Sequence, residues 1–383
     1  MAFADSNRVR LAYIAESAFD TTPATPTLQI LRLLSSSFAA NKETAVSNAL
    51  RSDRMVQDLA EVGFTSQGQI DFELSLGGSY DDFLQAAMGG TWSTAIAHSG
   101  AATFTASTDN IEATSAFTNA TVGQWIFVAG SSQSANNGWH QITTVTDNDN
   151  VIVSSSLADA TDGSGVTIKG SMLRNGTMLR SFSIEQAFLD IGQYHKFSGQ
   201  RVVSMSLNVE AGSIVTGSFG LQGATVVQNT STYANSTTAA TTTGVLNATS
   251  NVGTIIEGGS TLSTALQAIT LNLDNGPRNQ MAIASKYPRG IGQGRQTVTG
   301  SIRAYFEDET LYTKFLNHTY SSLVFDLSDA AGNRIHIELP RIQFMTDAPS
   351  PGGIDQDIME DLQFQAVANT GQTHQIQIDM VAA

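Results

Sequence analysis

Apolar and polar residues alternate along most of this chain, and a period of two restricts the fold more than any other feature. In GQIDFELSLG, Gly68 to Gly77, Ile70, Phe72, Leu74 and Leu76 point one way. Gln69, Asp71, Glu73 and Ser75 point the other. Successive strand side chains face opposite sides, so such a segment has one apolar face and one wet face. RVRLAYIA, LQAITLNLD, SLVFDLSD, RIHIELPRIQF, DLQFQAVA and HQIQIDM repeat the pattern, and alternation predicts further strands at 179–189, 201–210 and 213–222. Gly, Ser, Thr, Ala and Asn fill the spaces between, as turns between short strands require. The expected fold is mainly β and antiparallel, a sandwich or barrel with a few short flanking helices.

One device occurs twice. After the strand at Gly68 a short helix is expected, with Ser79 as its cap and Asp81 and Asp82 in its positive first turn. Tyr80, Phe83, Leu84 and Ala87 form its apolar stripe. GSIRAYFEDETLYTKFL, Gly300 to Leu316, has the same grammar, and Tyr312, Phe315 and Leu316 match Tyr80, Phe83 and Leu84. Each copy follows a long connection, which suggests an internal pseudo-repeat. The first connection, Ala39 to Gly63, is charge-dense without a period. Its part from Lys42 to Glu61 is expected to order only against a partner. The second, PRNQMAIASKYPRGIGQGRQT, carries Arg278, Lys286, Arg289 and Arg295. Residues 95–170 differ in texture, with hairpin signals in NNGW and DNDN and a candidate core of Phe104, Trp125, Phe127 and Trp139. They are expected to form a small β domain inserted into a host made of 1–94 and 171–383. From Ala211 to Thr270 the only charge is Glu257. The Ser/Thr-rich stretch within it is expected to be a mobile loop or a surface that a neighbouring subunit orders.

Charge and chemistry narrow the function. The 34 acidic residues against 19 basic ones give a net −15, so no general attraction to phosphate is expected. There is no cysteine, which removes disulfides and thiolate metal sites. The opening MAFADSNRVRLAYIAESAF has no apolar h-region, so a cytoplasmic protein without a signal peptide is expected. No run approaches a membrane span. His98, His140, His195, His318, His336 and His374 follow no metal-ligand spacing, and a structural role is expected for each. GIGQG at Gly290 lacks the context of a nucleotide loop and reads as a flexible turn. Glu307, Asp308 and Glu309 suit a helix start. Asp355, Asp357, Glu360 and Asp361 in GIDQDIMEDL read as a solvated charge run, since the ligand spacing of a calcium loop is missing. No catalytic, cofactor-binding or metal-binding residue is expected, and no cofactor.

Outside 95–170 the chain resembles the tail tube (major tail) proteins of long-tailed bacteriophages. ALRSDRMVQDL, GQIDFELSLGGSYDDFLQAAMGGTW, SFSIEQ, FLDIGQYHKFSGQRVVSMSL and GSIVTGSFGLQG carry the likeness. It implies a tail tube fold whose sheets join those of neighbours in a ring of six, with rings stacking into a hollow conduit for the genome. The implied partners are other copies of the chain and the tape measure, terminator and distal tail proteins. Double-stranded DNA would pass without specific binding, and no membrane is involved. The place would be the virion tail, assembled in the host cytoplasm. Arg51, Asp53, Arg54, Asp58, Arg289 and Arg295 become candidate inter-ring contacts, and Asp71 and Glu73 candidate lumen acids. Another ring-forming tail component, an adhesin of β modules and a glycan-cleaving enzyme are the alternatives.

Overall fold

The computed structural model describes the chain apart from residues 1–2, 79, 263, 348, 350–352, 369–370 and 372–373. The expected cap Ser79 thus lies outside the described residues. Among those described there are two α-helices, Asp81–Met88 and Thr310–Leu316, in an otherwise β chain. The expected strands appear as Phe182–Phe188, Gln193–Glu210 and Thr216–Gly223.

The main sheet runs through six antiparallel strands: Leu59–Glu73, Thr216–Gly223, Gln193–Glu210, Leu266–Asp274, Thr297–Tyr305 and Met359–Ala366. It continues into Arg334–Thr346, which also pairs with Tyr320–Ser328 and Gln377–Val381. These last strands fold back over the first. Ile335, Ile337 and Ile378 line one internal cavity with Phe72, Met205, Leu207, Phe219 and Leu271. The result is a sandwich whose core lies between the two layers. Gln193–Glu210 also serves a second sheet, pairing through its first half with Phe182–Phe188 and Thr225–Asn229. A register shift between Val202 and Ser204 lets one strand serve both.

The first helix closes one end of the core. Phe83 packs on Phe182, Tyr13 and Phe219 at centroid distances of 4.9, 4.8 and 5.4 Å. Tyr80 occupies its N-cap position without a side-chain capping bond. Gly89 ends it at φ 63°, and a Cβ there would lie 2.8 Å from the Gly176 carbonyl oxygen, so only glycine fits. The second helix buries only Leu311. Its Tyr312 is the third helical residue, whereas Tyr80 precedes the first helix, so the matched triplets do not occupy equivalent places. What repeats is a strand that hands over to a helix.

The first long connection is strand at both ends and loop only between them, over residues 47–58. Ala39–Val46 pairs with Leu59–Glu73 from Ala39↔Gln67 to Val46↔Leu59, and the hairpin projects as an arm. Its outer part is wet on both faces, so nothing there imposes alternation. The second connection is also structured. Gly290–Gly292 in GIGQG pairs with Arg278–Gln280, and Ile291 is fully buried. The Ser/Thr-rich stretch is tied to its own chain: Leu246 N–H donates to the Leu74 carbonyl, Val215 N–H donates to the Leu246 carbonyl, and Leu246 is buried.

Strands from Ile96 to Gly170 close on themselves. Ile96–Thr105 pairs with Asn110–Glu112, that with Asn150–Val153, that with Gly138–Val145, and that with Trp125–Ala129. Ala160–Arg174 then joins Trp125–Ala129 back to Ile96–Thr105, completing a six-stranded barrel. Its interior holds Phe104, Ile111, Phe117, Ile126, Val128, Ile142, Val151 and Ile168, a cluster separate from the main core. Trp125, Phe127 and Trp139, expected inside, lie outside it.

Candidate functional site

The main sheet places two unlike faces back to back. One row across its six strands is Phe72, Gly217, Leu207, Leu271, Gly300 and Phe364. This row is dry. The row beside it is Asp71, Ser218, Ser206, Asn272, Thr299 and Gln365, and the next is Glu73, Thr216, Asn208, Thr270, Ser301 and Gln363. These rows are wet. Short hydroxyls bond along them: Ser206 to Ser218 at 2.8 Å and Thr270 to Ser301 at 2.7 Å. Asp71 accepts from Ser35 and Gln69, both at 2.5 Å. Within this block the wet face holds Asp71, Glu73, Glu210, Asp274 and Asp361 against Arg201 and Arg303, the latter 3.6 Å from Asp361. The arrangement offers a hydroxyl-rich, acid-biased surface with an open concavity of about 360 Å³ between Ser206, Ser218, Asn272, Asp274 and Thr299.

At the start of the 59–73 strand the two long connections meet. Phe64 N–H donates to the Lys286 carbonyl at 2.8 Å, Phe64 packs edge-on to Tyr287 at 5.3 Å, and Lys286 pairs with Glu61 at 3.4 Å. The candidate contact charges Arg51, Asp53, Arg54, Asp58, Arg289 and Arg295 are all exposed; the first four lie between the two strands of the arm and the last two in the second connection. Arg51 donates to Asp53 through Nε at 2.8 Å, so these two satisfy each other. Asp58 accepts from the N–H of Leu59 at 2.8 Å. Sequence reasoning missed the apolar residues among them. Val46, Leu50, Met55, Val56, Leu59 and Val62 on the arm, and Met281 and Ile283 beside it, are exposed. Without periodicity only their position in a projecting hairpin reveals them.

The opposite end of the sheet holds the expected charge run. Asp355, Asp357 and Asp361 are exposed, but Glu360 is buried. Burial, with Asp347 and Asp308 nearby, pushes its carboxyl up to about 8. Asp308 accepts from Thr310 N–H at 2.7 Å at the start of the second helix. Glu257 is also buried and accepts from Lys314 and Ser321.

Trp125, Phe127 and Trp139 form the seam between the small barrel and the sandwich. The His336 ring lies 4.4 Å from Trp125 and 4.8 Å from Trp139, and Arg334 stacks on Phe127 at 4.0 Å. Trp125 Nε1 donates to Glu338 at 2.6 Å and its backbone N–H to Asp379 at 3.2 Å. Burial raises both carboxyls and lowers His336 to about 3. These groups are neutralised or hydrogen-bonded in place, as buried ionisable groups must be.

Among the described residues no group of three or more His, Asp or Glu side chains is placed to hold a metal ion, and no helix is long and apolar enough to cross a membrane. The sequence profile of the family described as Phage tail tube protein matches residues 6–366, and the chain belongs to that family. No curated protein matches it. The chain is therefore a structural component of a bacteriophage tail.

Proposed function

We propose that the chain assembles into rings, six copies to a ring, and that the rings stack into a tube through which double-stranded DNA leaves the capsid. The observation that carries this reading is the wet face of the six-stranded main sheet. Its side chains are mostly short hydroxyls and amides, and its acids outnumber its two arginines. DNA slides along a surface it does not bind, and a negative wall repels phosphate where a cationic one would hold it. The apolar arm and the basic connection would join neighbours, with Arg51, Asp53, Arg54, Asp58, Arg289 and Arg295 around them. Pairing sheets between copies also hides edge strands that would otherwise aggregate. The tape measure, terminator and distal tail proteins would contact the tube inside and at its ends. The small barrel, with its own core, would form a domain on the outside. Assembly would take place in the host cytoplasm.

Negative-stain images of the concentrated protein test this. Rings or tubes with a central channel are expected. A strictly monomeric profile by light scattering across salt and concentration would sink it.

A further inference from the structure

We infer that successive copies dock head to tail, the basic connection at one end of the main sheet seating on an apolar, acid-rimmed surface at the other end. The inference rests on the tube reading and names the two surfaces that meet along its length.

The strand Thr297–Tyr305 marks both ends. Before it lie residues 277–295, which contain Arg278, Lys286, Arg289 and Arg295 and no Asp or Glu. Only Lys286 has an acidic partner among the described ion pairs, Glu61. Arg289 and Arg295 are exposed, and so are Met281 and Ile283 beside them, Ile283 completely.

After the strand the character reverses. Glu307, Asp308 and Glu309 are exposed, and residues 304–313 contain no Lys or Arg. Met359 pairs with Tyr305, so the turn into the last strand of the block lies at the same end. That turn exposes Asp355 and Asp357, and residues 347–361 also lack Lys and Arg. Lys314 is nearby but is engaged with the buried Glu257. Between these acids lies exposed apolar surface: Phe306, whose N–H donates to the Ile358 carbonyl at 3.0 Å, Ile358 itself, and Ile354.

The basic connection and the acidic surface at the other end therefore each present two apolar side chains or more beside charges of one sign, and the signs are opposite. A second copy fits both features at once. A symmetric contact would set basic rim on basic rim, whereas the heterologous contact satisfies both and leaves a free end each time, so it propagates as a stack. Complementary rims also fix which face meets which.

Charge exchange tests the assignment. Arg278→Glu with Arg289→Glu and Arg295→Glu reverses the first rim, leaving Lys286 as its one cation against three new acids. Glu309→Lys with Asp355→Lys and Asp357→Lys reverses the second, leaving two acids against three new cations, at positions without side-chain hydrogen bonds among the described residues. Each triple variant alone is expected to remain folded by circular dichroism and to lose tubes in negative stain and sedimentation. An equimolar mixture is expected to regain them, because each altered rim then meets its altered counterpart and each native rim its native one. Normal tubes from either variant alone, or no recovery on mixing, overturns the inference while wild-type tubes leave the broader reading intact. If the wild type itself forms no tubes, it is the broader reading that fails.

Discussion

Glu360 shows how one residue escapes its sequence context. It shares strand parity with Leu362 and Phe364, so its side chain enters the core while Asp361 and Gln363 stay wet. Alternation contained this information, but the neighbouring acids drew the reading toward a solvated run. The protonated carboxyl is favoured in the fold. With the folded value raised to about 8 from 4.5, the native state holds a proton that the unfolded chain has released, so stability falls as pH rises between those values. Glu360→Gln removes that dependence. The melting temperature of the variant relative to wild type is expected to be higher at pH 8.5 than at pH 5. A difference that is constant with pH, or that shrinks as pH rises, refutes the assignment.

At the level of elements, strands with one dry face were legible and strands without one were not. The rows through Ile70 and Phe72 announced themselves because burial demands a period of two. The outer arm meets water on both faces, so no pattern marked it and it read as a loop. The barrel's aromatics misled for another reason. Tryptophan has an apolar body and a polar N–H, and Trp125 uses both at a seam rather than in a core. The seam yields a paired prediction. Trp125→Phe keeps the ring but withdraws a donor from the buried Glu338, which should cost about 1–3 kcal/mol. Excising the barrel is a different matter. Ile96 lies opposite Gly170 in register, so a short Gly/Ser turn can close the gap. Removal uncovers Asp379 and Glu338, and water replaces the lost donors. The excised chain is expected to fold and assemble, whereas Trp125→Phe lowers the melting temperature of the full chain. Failure of the excised chain to fold would show that the barrel belongs to the core of its neighbour.

For the whole molecule the decisive question is which way the wet face looks in the assembly. The sequence showed that Asp71 and Glu73 share a face, but strand order, and hence the rows that extend it across six strands, emerges only from pairing between distant segments, such as Gly223 with Ser66. A lumen-facing sheet would multiply five acids against two arginines by the number of copies in each ring. DNA phosphates would then meet a negative wall whose field reaches about 8–10 Å at physiological salt. The alternative is that this face looks out to bulk solvent and the channel is lined by other strands. Asp71→Lys with Glu73→Lys separates the two. Both side chains are half-exposed and neither forms an ion pair among the described residues, so the subunit should fold and still form tubes. On a lumen face the new lysines would hold phosphate, and virions carrying the variant should eject DNA slowly, with the defect easing as salt rises and screens the attraction. Normal ejection at every salt concentration, from virions shown to contain the variant, would place Asp71 and Glu73 away from the DNA path.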